Sequence, residues 1–170
     1  MELIFPAIEM KQAALDYRQE HFDNGEEIIH GDAGLDEAQT YEEWLEKIQN
    51  DLTRDEGGFV PATVYFGVIK GRIAGTIQIR HKLNEHLLKT GGHIGYGVRP
   101  SERRKGYATK MLALALEKCR DLSINKALVT CDKDNLGSLK TIENNGGLFE
   151  DEFVAEDGNI TLRYWISVKK

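Results

Sequence analysis

Cysteine is scarce in this chain. Cys119 and Cys131 are the only two, too few for a disulfide framework, and a reduced, cytoplasmic compartment is the default. Three prolines, no low-complexity stretch and no internal repeat leave no sign of a linker or a repeat array. A basic excess is also missing. Lys and Arg number 22 against 28 Asp and Glu, giving a net charge of −6, which argues against a general nucleic-acid binder. No apolar run approaches membrane-spanning length and residues 1–10 lack a signal-peptide pattern, so no membrane partner is expected. No His, Cys or carboxylate grouping has metal-ligand spacing, so no metal is expected. Two phosphate-binding fingerprints are absent as well: G-x-G-x-x-G at the start of a helix, and the Walker pattern G-x-x-x-x-G-K-S/T.

What is present is an ordinary globular composition, 41% hydrophobic and 29% charged, in a chain long enough for one domain over residues 1–170. The chain is organised around residues 93–122, HIGYGVRPSERRKGYATKMLALALEKCRDL. Residues 93–98 read as a short strand that ends before Pro100, because proline cannot donate to a ladder. Residues 106–122 read as a helix, with Ala108, Met111, Leu112, Ala115, Leu116 and Cys119 at three- and four-residue spacing. A strand, a tight basic turn and a helix opening on glycine make an anion site. The first helical N–H groups lack partners, and the helix dipole is positive there. Arg103, Arg104 and Lys105 add full charge, although a basic turn in another context is merely solvated.

The run Arg103-x-x-Gly106-x-Ala108 after this strand resembles the acetyl-CoA loop Q/R-x-x-G-x-G/A of the GNAT N-acetyltransferase superfamily, in particular its bacterial branch. The likeness covers residues 62–153. It implies a GNAT-like α/β fold: a mixed, mostly antiparallel central sheet with a parallel, splayed strand pair flanked by helices. Residues 1–60 would contribute to the acceptor pocket. It also implies acetyl-CoA as acetyl donor, held by Val98, Arg103, Arg104, Lys105, Gly106, Tyr107, Ala108 and Thr109. Downstream, Asn135 and Ser138 match positions beside the pantetheine arm, and Asn135 also suits a helix N-cap.

The remaining elements follow from pattern. Residues 3–5 read as a strand, 10–20 as a helix, and Thr40 with Glu43 as a capping box opening a second helix. Residues 22–35 read as a polar loop carrying Glu26, Glu27, His30 and Asp32, either solvated or forming a wall that receives an amine. Ala62–Ile69 and residues 72–79 form a hairpin turning at Lys70-Gly71. A helical turn at 84–88, a strand at 127–130, a helix at 135–145 and strands at 148–154 and 160–168 complete the order.

Transfer of an acetyl group to a primary amine needs little apparatus. The amine, with an ordinary pKa of about 10.4, must lose a proton to a base, and the carbonyl oxygen needs a donor. The resemblance implies the backbone N–H of Tyr96 or Gly97 as that donor; His93 is expected either as the base or as a structural His bonded to a neighbouring loop. Strand alternation places His93, Gly95 and Gly97 on one face, an open strip for substrate. Glu102, Asp132 and the acidic residues near Glu26 stand in reserve. Many GNAT enzymes carry a Tyr on the helix after the Asn to protonate the leaving thiolate. The corresponding residue here is Ile142, with Tyr96 and Tyr164 as possible substitutes. Cys131 is either a thiol acyl carrier or a small packed residue. The expected function is an N-acetyltransferase acting on a small molecule, an amino acid or a protein N-terminus, as a monomer or homodimer. The alternative is an idle acyl-CoA-binding or interaction module.

Overall fold

The computed structural model describes residues 1–168. In chain order the elements are β1 Glu2–Ile4, α1 Lys11–Asp23, α2 Tyr41–Asp51, β2 Ala62–Ile69, β3 Arg72–Arg80, α3 Glu85–Lys89, β4 Ile94–Val98, α4 Tyr107–Asp121, β5 Lys126–Asp132, α5 Leu136–Asn144, β6 Leu148–Val154 and β7 Ile160–Ser167, with short 3-10 turns at Ile8–Met10 and Pro100–Glu102. The first helix runs three residues past the expected end and takes Phe22 from the loop. Local signals act as expected elsewhere. Thr40 Oγ1 accepts from the Glu43 N–H at 3.2 Å. Lys70 and Gly71 both turn with positive φ, +48° and +78°, as a tight hairpin with strand-matched twist requires.

The strands form two antiparallel sheets, in the orders β1-β2-β3-β4 and β5-β7-β6. The single central sheet expected from the sequence is thus divided. The division falls at the parallel pair β4 and β5. They touch where the His93 N–H donates to the Leu128 carbonyl at 2.7 Å, and beyond that point they splay without a ladder. The gap between their C-terminal halves is where the site lies.

Two cores hold the halves in place. One lies under α4 and α5, against Ile77, Ile94, Val129 and Ile166 of both sheets. The other joins α1, α2 and the intervening loop to the far face of the first sheet, where Trp44 stacks on Phe66 at 5.6 Å between centroids. α4 approaches the first sheet closely because Gly67 and Gly75 leave a notch. A Cβ on them would stand 2.5 and 2.9 Å from Met111 Sδ. That packing sets the start of α4 beside the end of β4.

The loop after α1 is anchored inward at a few residues, while Asn24, Gly25, Glu27, Ile28 and His30 stay exposed. Ile29 and Leu35 are buried, Trp44 Nε1 donates to the Asp32 carbonyl at 3.0 Å, and Asp32 accepts from the N–H groups of Gly34 and Asp36. Thr76 Oγ1, itself bonded to the Tyr17 hydroxyl, donates to the His30 carbonyl at 3.1 Å and draws the loop onto the sheet. The loop therefore covers the strip of β4 that the sequence suggested was open. Only glycine fits at Gly31, where φ is +75° and a Cβ would lie 2.5 Å from the Gly95 carbonyl oxygen.

Candidate active site

At one end of the gap the chain builds an anion cradle from backbone. Gly106 caps α4 with φ +77° and no side-chain cap bond, so the first N–H groups of the helix face outward without protein partners. Arg104 is also left-handed, with φ +62°, a conformation that costs a residue bearing a Cβ about 1–2 kcal/mol. These residues open into a cleft of about 590 Å³. One wall is Val98, Arg103, Arg104, Gly106, Tyr107, Ala108 and Thr109, and the other is α5 with Asn135, Ser138 and Thr141. Asn135 caps α5, its Oδ1 accepting from the Ser138 N–H at 3.0 Å, and it also lines the cleft.

Fewer cations face this cleft than the sequence suggests. Lys105 lies outside it, bonded to Glu102 at 2.8 Å. Arg103 borders it but is forked onto Glu26, at 2.5 and 2.7 Å, while its Nε donates to the Val98 carbonyl. This guanidinium holds the Glu26 carboxyl down at about 2. Arg104 makes no ion pair among the described residues.

The register of β4 on β3 decides which backbone groups face the gap. Bonds from the Arg80 N–H to the His93 carbonyl and from the Arg99 N–H to the Ala74 carbonyl bracket the ladder, and no bulge interrupts it. Alternation then commits Gly95 and Gly97 to the ladder and turns the backbone of Ile94, Tyr96 and Val98 toward the gap. Of the two expected donors, the Tyr96 N–H turns toward the gap and the Gly97 N–H turns into the ladder. Gly97 instead lies beneath the His30 carbonyl, 2.5 Å from where a Cβ would be. The Tyr96 side chain crosses to α5, where its hydroxyl donates to the Ser138 carbonyl over a long 3.4 Å. Burial pushes that hydroxyl up to about 12, which keeps it protonated.

Past Tyr96 a second chamber of about 320 Å³ opens, with Arg80, Thr130, Cys131, Asp132 and Asn159 among its walls. It shares His30, Tyr96, Asn135 and Ser138 with the cleft, so the two spaces meet there. Burial, with Asp132 beside it, pushes the Cys131 thiol up to about 11, which leaves it a poor nucleophile.

His93 is not brought to either chamber. It stands at the closed base of the gap, buried, with Nδ1 accepting from the Leu128 N–H at 2.9 Å and its ring against Trp165. Burial and nearby Arg80 pull it down to about 4, the state of a neutral imidazole that ties two strands. Ile142 is fully buried and packs on Gly147, so it does not stand at the cleft; the α5 residue there is Thr141. Tyr164 packs edge-on against Phe149 in the core, away from both chambers. The sequence marks His30 only as part of a polar loop and does not mark Arg80 at all. Nothing local in the sequence brings either to β4.

Comparison with known proteins gives a consistent picture. The acetyltransferase (GNAT) domain model matches residues 7–147. An uncharacterized N-acetyltransferase, YjdG of Bacillus subtilis strain 168, is 33% identical over 81 residues, 45% of this chain and 43% of that protein, so the match spans under half of the relative. RimJ of Mycobacterium smegmatis, solved with CoA-disulfide, superposes with a TM-score of 0.73 at 17% identity over 97% of this chain and 80% of that one. RimL, a ribosomal alpha-N-protein acetyltransferase solved with coenzyme A, gives 0.70 at 17% over 98% and 93%. The microcin C7 self-immunity acetyltransferase MccE, solved with acetyl-CoA and AMP, gives 0.69 at 19% over 98% and 91%. At these identities the structural likeness is one of fold.

Proposed function

The chain belongs to the GNAT acetyltransferase family, and from that premise we propose that it moves an acetyl group from acetyl-CoA directly to a primary amine, with both bound at once. The observation that carries the reading is the pair of chambers meeting at Tyr96, one against an anion cradle and the other walled by polar side chains. The N–H groups of residues 104–109 receive the pyrophosphate, helped by Arg104. The Val98 backbone and the Asn135–Ser138 turn border the pantetheine arm. The Tyr96 N–H receives the negative charge that develops on the thioester oxygen.

The amine nitrogen attacks the thioester carbon, the C–S bond breaks, and one proton leaves the nitrogen while one reaches the sulfur. His30 lines both chambers at their junction, and its imidazole takes that proton as general base. The Tyr96 hydroxyl, set against α5, gives its proton to the sulfur as the C–S bond breaks, in place of the acid that α5 lacks. His93 is assigned to holding β4 on β5.

The test compares His30→Gln with His93→Gln, measuring thiol release from acetyl-CoA over a panel of amines. General-base loss predicts a fall of about 100-fold or more for His30→Gln, with unchanged CoA affinity and partial rescue as rising pH deprotonates the amine. His93→Gln keeps its turnover and loses stability. A His30→Gln enzyme at the wild-type rate would remove His30 from the mechanism. A protein that binds CoA yet acetylates no amine would favour the idle module.

A further inference from the structure

The acceptor chamber holds a full positive charge that acetyl transfer itself does not use. Arg80 ends β3 half-buried on the chamber wall. Its Nη1 donates to the carbonyls of Gly91 and Gly92, both at 3.2 Å. Among the described residues no carboxylate pairs with it, and its Nε and Nη2 have no protein acceptor yet are not sealed from the chamber. A Cβ placed on Gly95 would lie 3.8 Å from both terminal nitrogens and 3.9 Å from Gly31 Cα. The guanidinium therefore borders the same space as the turn that carries His30. Asp132 stands elsewhere on the chamber lining, its Oδ1 bonded to Asn159 Nδ2 at 3.1 Å.

A charge withdrawn from water without an ionic partner is unfavourable unless something supplies the partner. Its free N–H groups form part of a fork that matches a carboxylate. A volume of about 320 Å³ is at the small end for ligand pockets and suits a molecule of amino-acid size. A cation on one part of the wall, with His30 and Asp132 on others, gives each end of a zwitterion a counterpart.

We infer that the acceptor is a small amine bearing its own carboxylate, of the amino-acid class, and that Arg80 receives that carboxylate and so determines specificity. The inference rests on the acetyl-transfer reading above and narrows its acceptor. A peptide N-terminus has no carboxylate in the equivalent place unless a side chain provides one.

The experiment uses the full chain with saturating acetyl-CoA and compares alanine, β-alanine and glutamate with the matching carboxamides. Carboxylates should exceed carboxamides in kcat/KM by about 10- to 100-fold, the worth of one charge-assisted contact. In Arg80→Gln the ratio should fall to near one, the loss falling on the carboxylates. Arg80→Lys, which keeps a cation, should lie between, and the wild-type series decides the matter even if a variant folds poorly. Equal rates for acid and amide in the wild type, an undiminished ratio in a folded Arg80→Gln, or a tripeptide amide outrunning every free amino acid would each overturn the inference. If no amine is acetylated, the transfer reading has failed. Arg80 is then judged by calorimetric titration of N-acetylalanine against its amide with CoA present. The same preference upholds the carboxylate site, and equal binding rejects it.

Discussion

The two ends of the gap between β4 and β5 are built in opposite ways. The proposed phosphate end is local: Val98 to Thr109 supply a strand end, a turn and a helix start, and the groups it offers are backbone N–H groups. The proposed acceptor end is assembled from distant places, with His30 on the first long loop, Arg80 at the end of a hairpin, Asp132 at the end of β5 and Asn159 before β7. A backbone device needs only a short pattern, while a side-chain device needs the whole fold. Changes at the first end should therefore act on the cofactor alone, and changes at the second on the amine.

The largest expected effect breaks the phosphate end. Gly106→Glu forces a side chain into a left-handed position and sets a carboxylate before the free N–H groups. Repulsion of a bound pyrophosphate adds to a backbone penalty of about 1–2 kcal/mol, for a loss of at least about 100-fold in CoA affinity by calorimetry. A Cβ at Gly106 meets nothing within 4 Å, so the fold itself should survive. Unchanged affinity would mean that the phosphates bind elsewhere.

The second effect breaks the acceptor end. Gly31→Ala places a methyl 2.5 Å from the Gly95 carbonyl oxygen and 2.6 Å from Tyr96 Cα, at φ +75°. The loop must lift, for about 3 kcal/mol in stability from overpacking and the left-handed backbone together. His30 moves with it, so kcat/KM for the amine should fall at least about tenfold while CoA affinity holds. Loss of cofactor affinity alone would reverse the assignment of the two chambers.

The same contrast explains what the sequence made legible. The strand, the loop and the α4 start were readable because Pro100, Gly106 and the apolar spacing are adjacent in the chain. The placement of Ile142 failed because a helix turns 100° per residue. Counting from Asn135 reached the right turn of α5, but Thr141 faces the cleft and Ile142, one step on, faces the core. His93 falls one residue before β4 and outside both chambers. Alternation gives the face of a residue, whereas the splaying of β4 from β5 begins only beyond the His93–Leu128 contact. The cover over Gly95 and Gly97 was invisible because it depends on Thr76, forty-six residues from His30 and fifty-nine from Tyr17, holding the loop onto the sheet.

The smallest effect tests the bond that joins the two ends. Glu26 belongs to the loop that carries His30, and Arg103 belongs to the phosphate turn, so their fork couples the regions. The guanidinium holds Glu26 at about 2, below the ordinary glutamate value of about 4.3. A carboxylate depressed on folding adds stability that is present above its unfolded pKa and is lost as pH falls through the folded one. Wild type should therefore lose more stability than Glu26→Gln between about pH 4.3 and pH 2. With Arg103 well exposed and the pair screened, the difference is about 1 kcal/mol by urea unfolding across that range. Parallel curves would show that the fork contributes nothing to the fold. Releasing Arg103 should also raise CoA affinity a few-fold at low salt, an effect that fades as ionic strength rises. A fall in affinity would instead mean that Glu26 orients Arg103 for the phosphates, and that the two ends are coupled through the cofactor as well as through the fold.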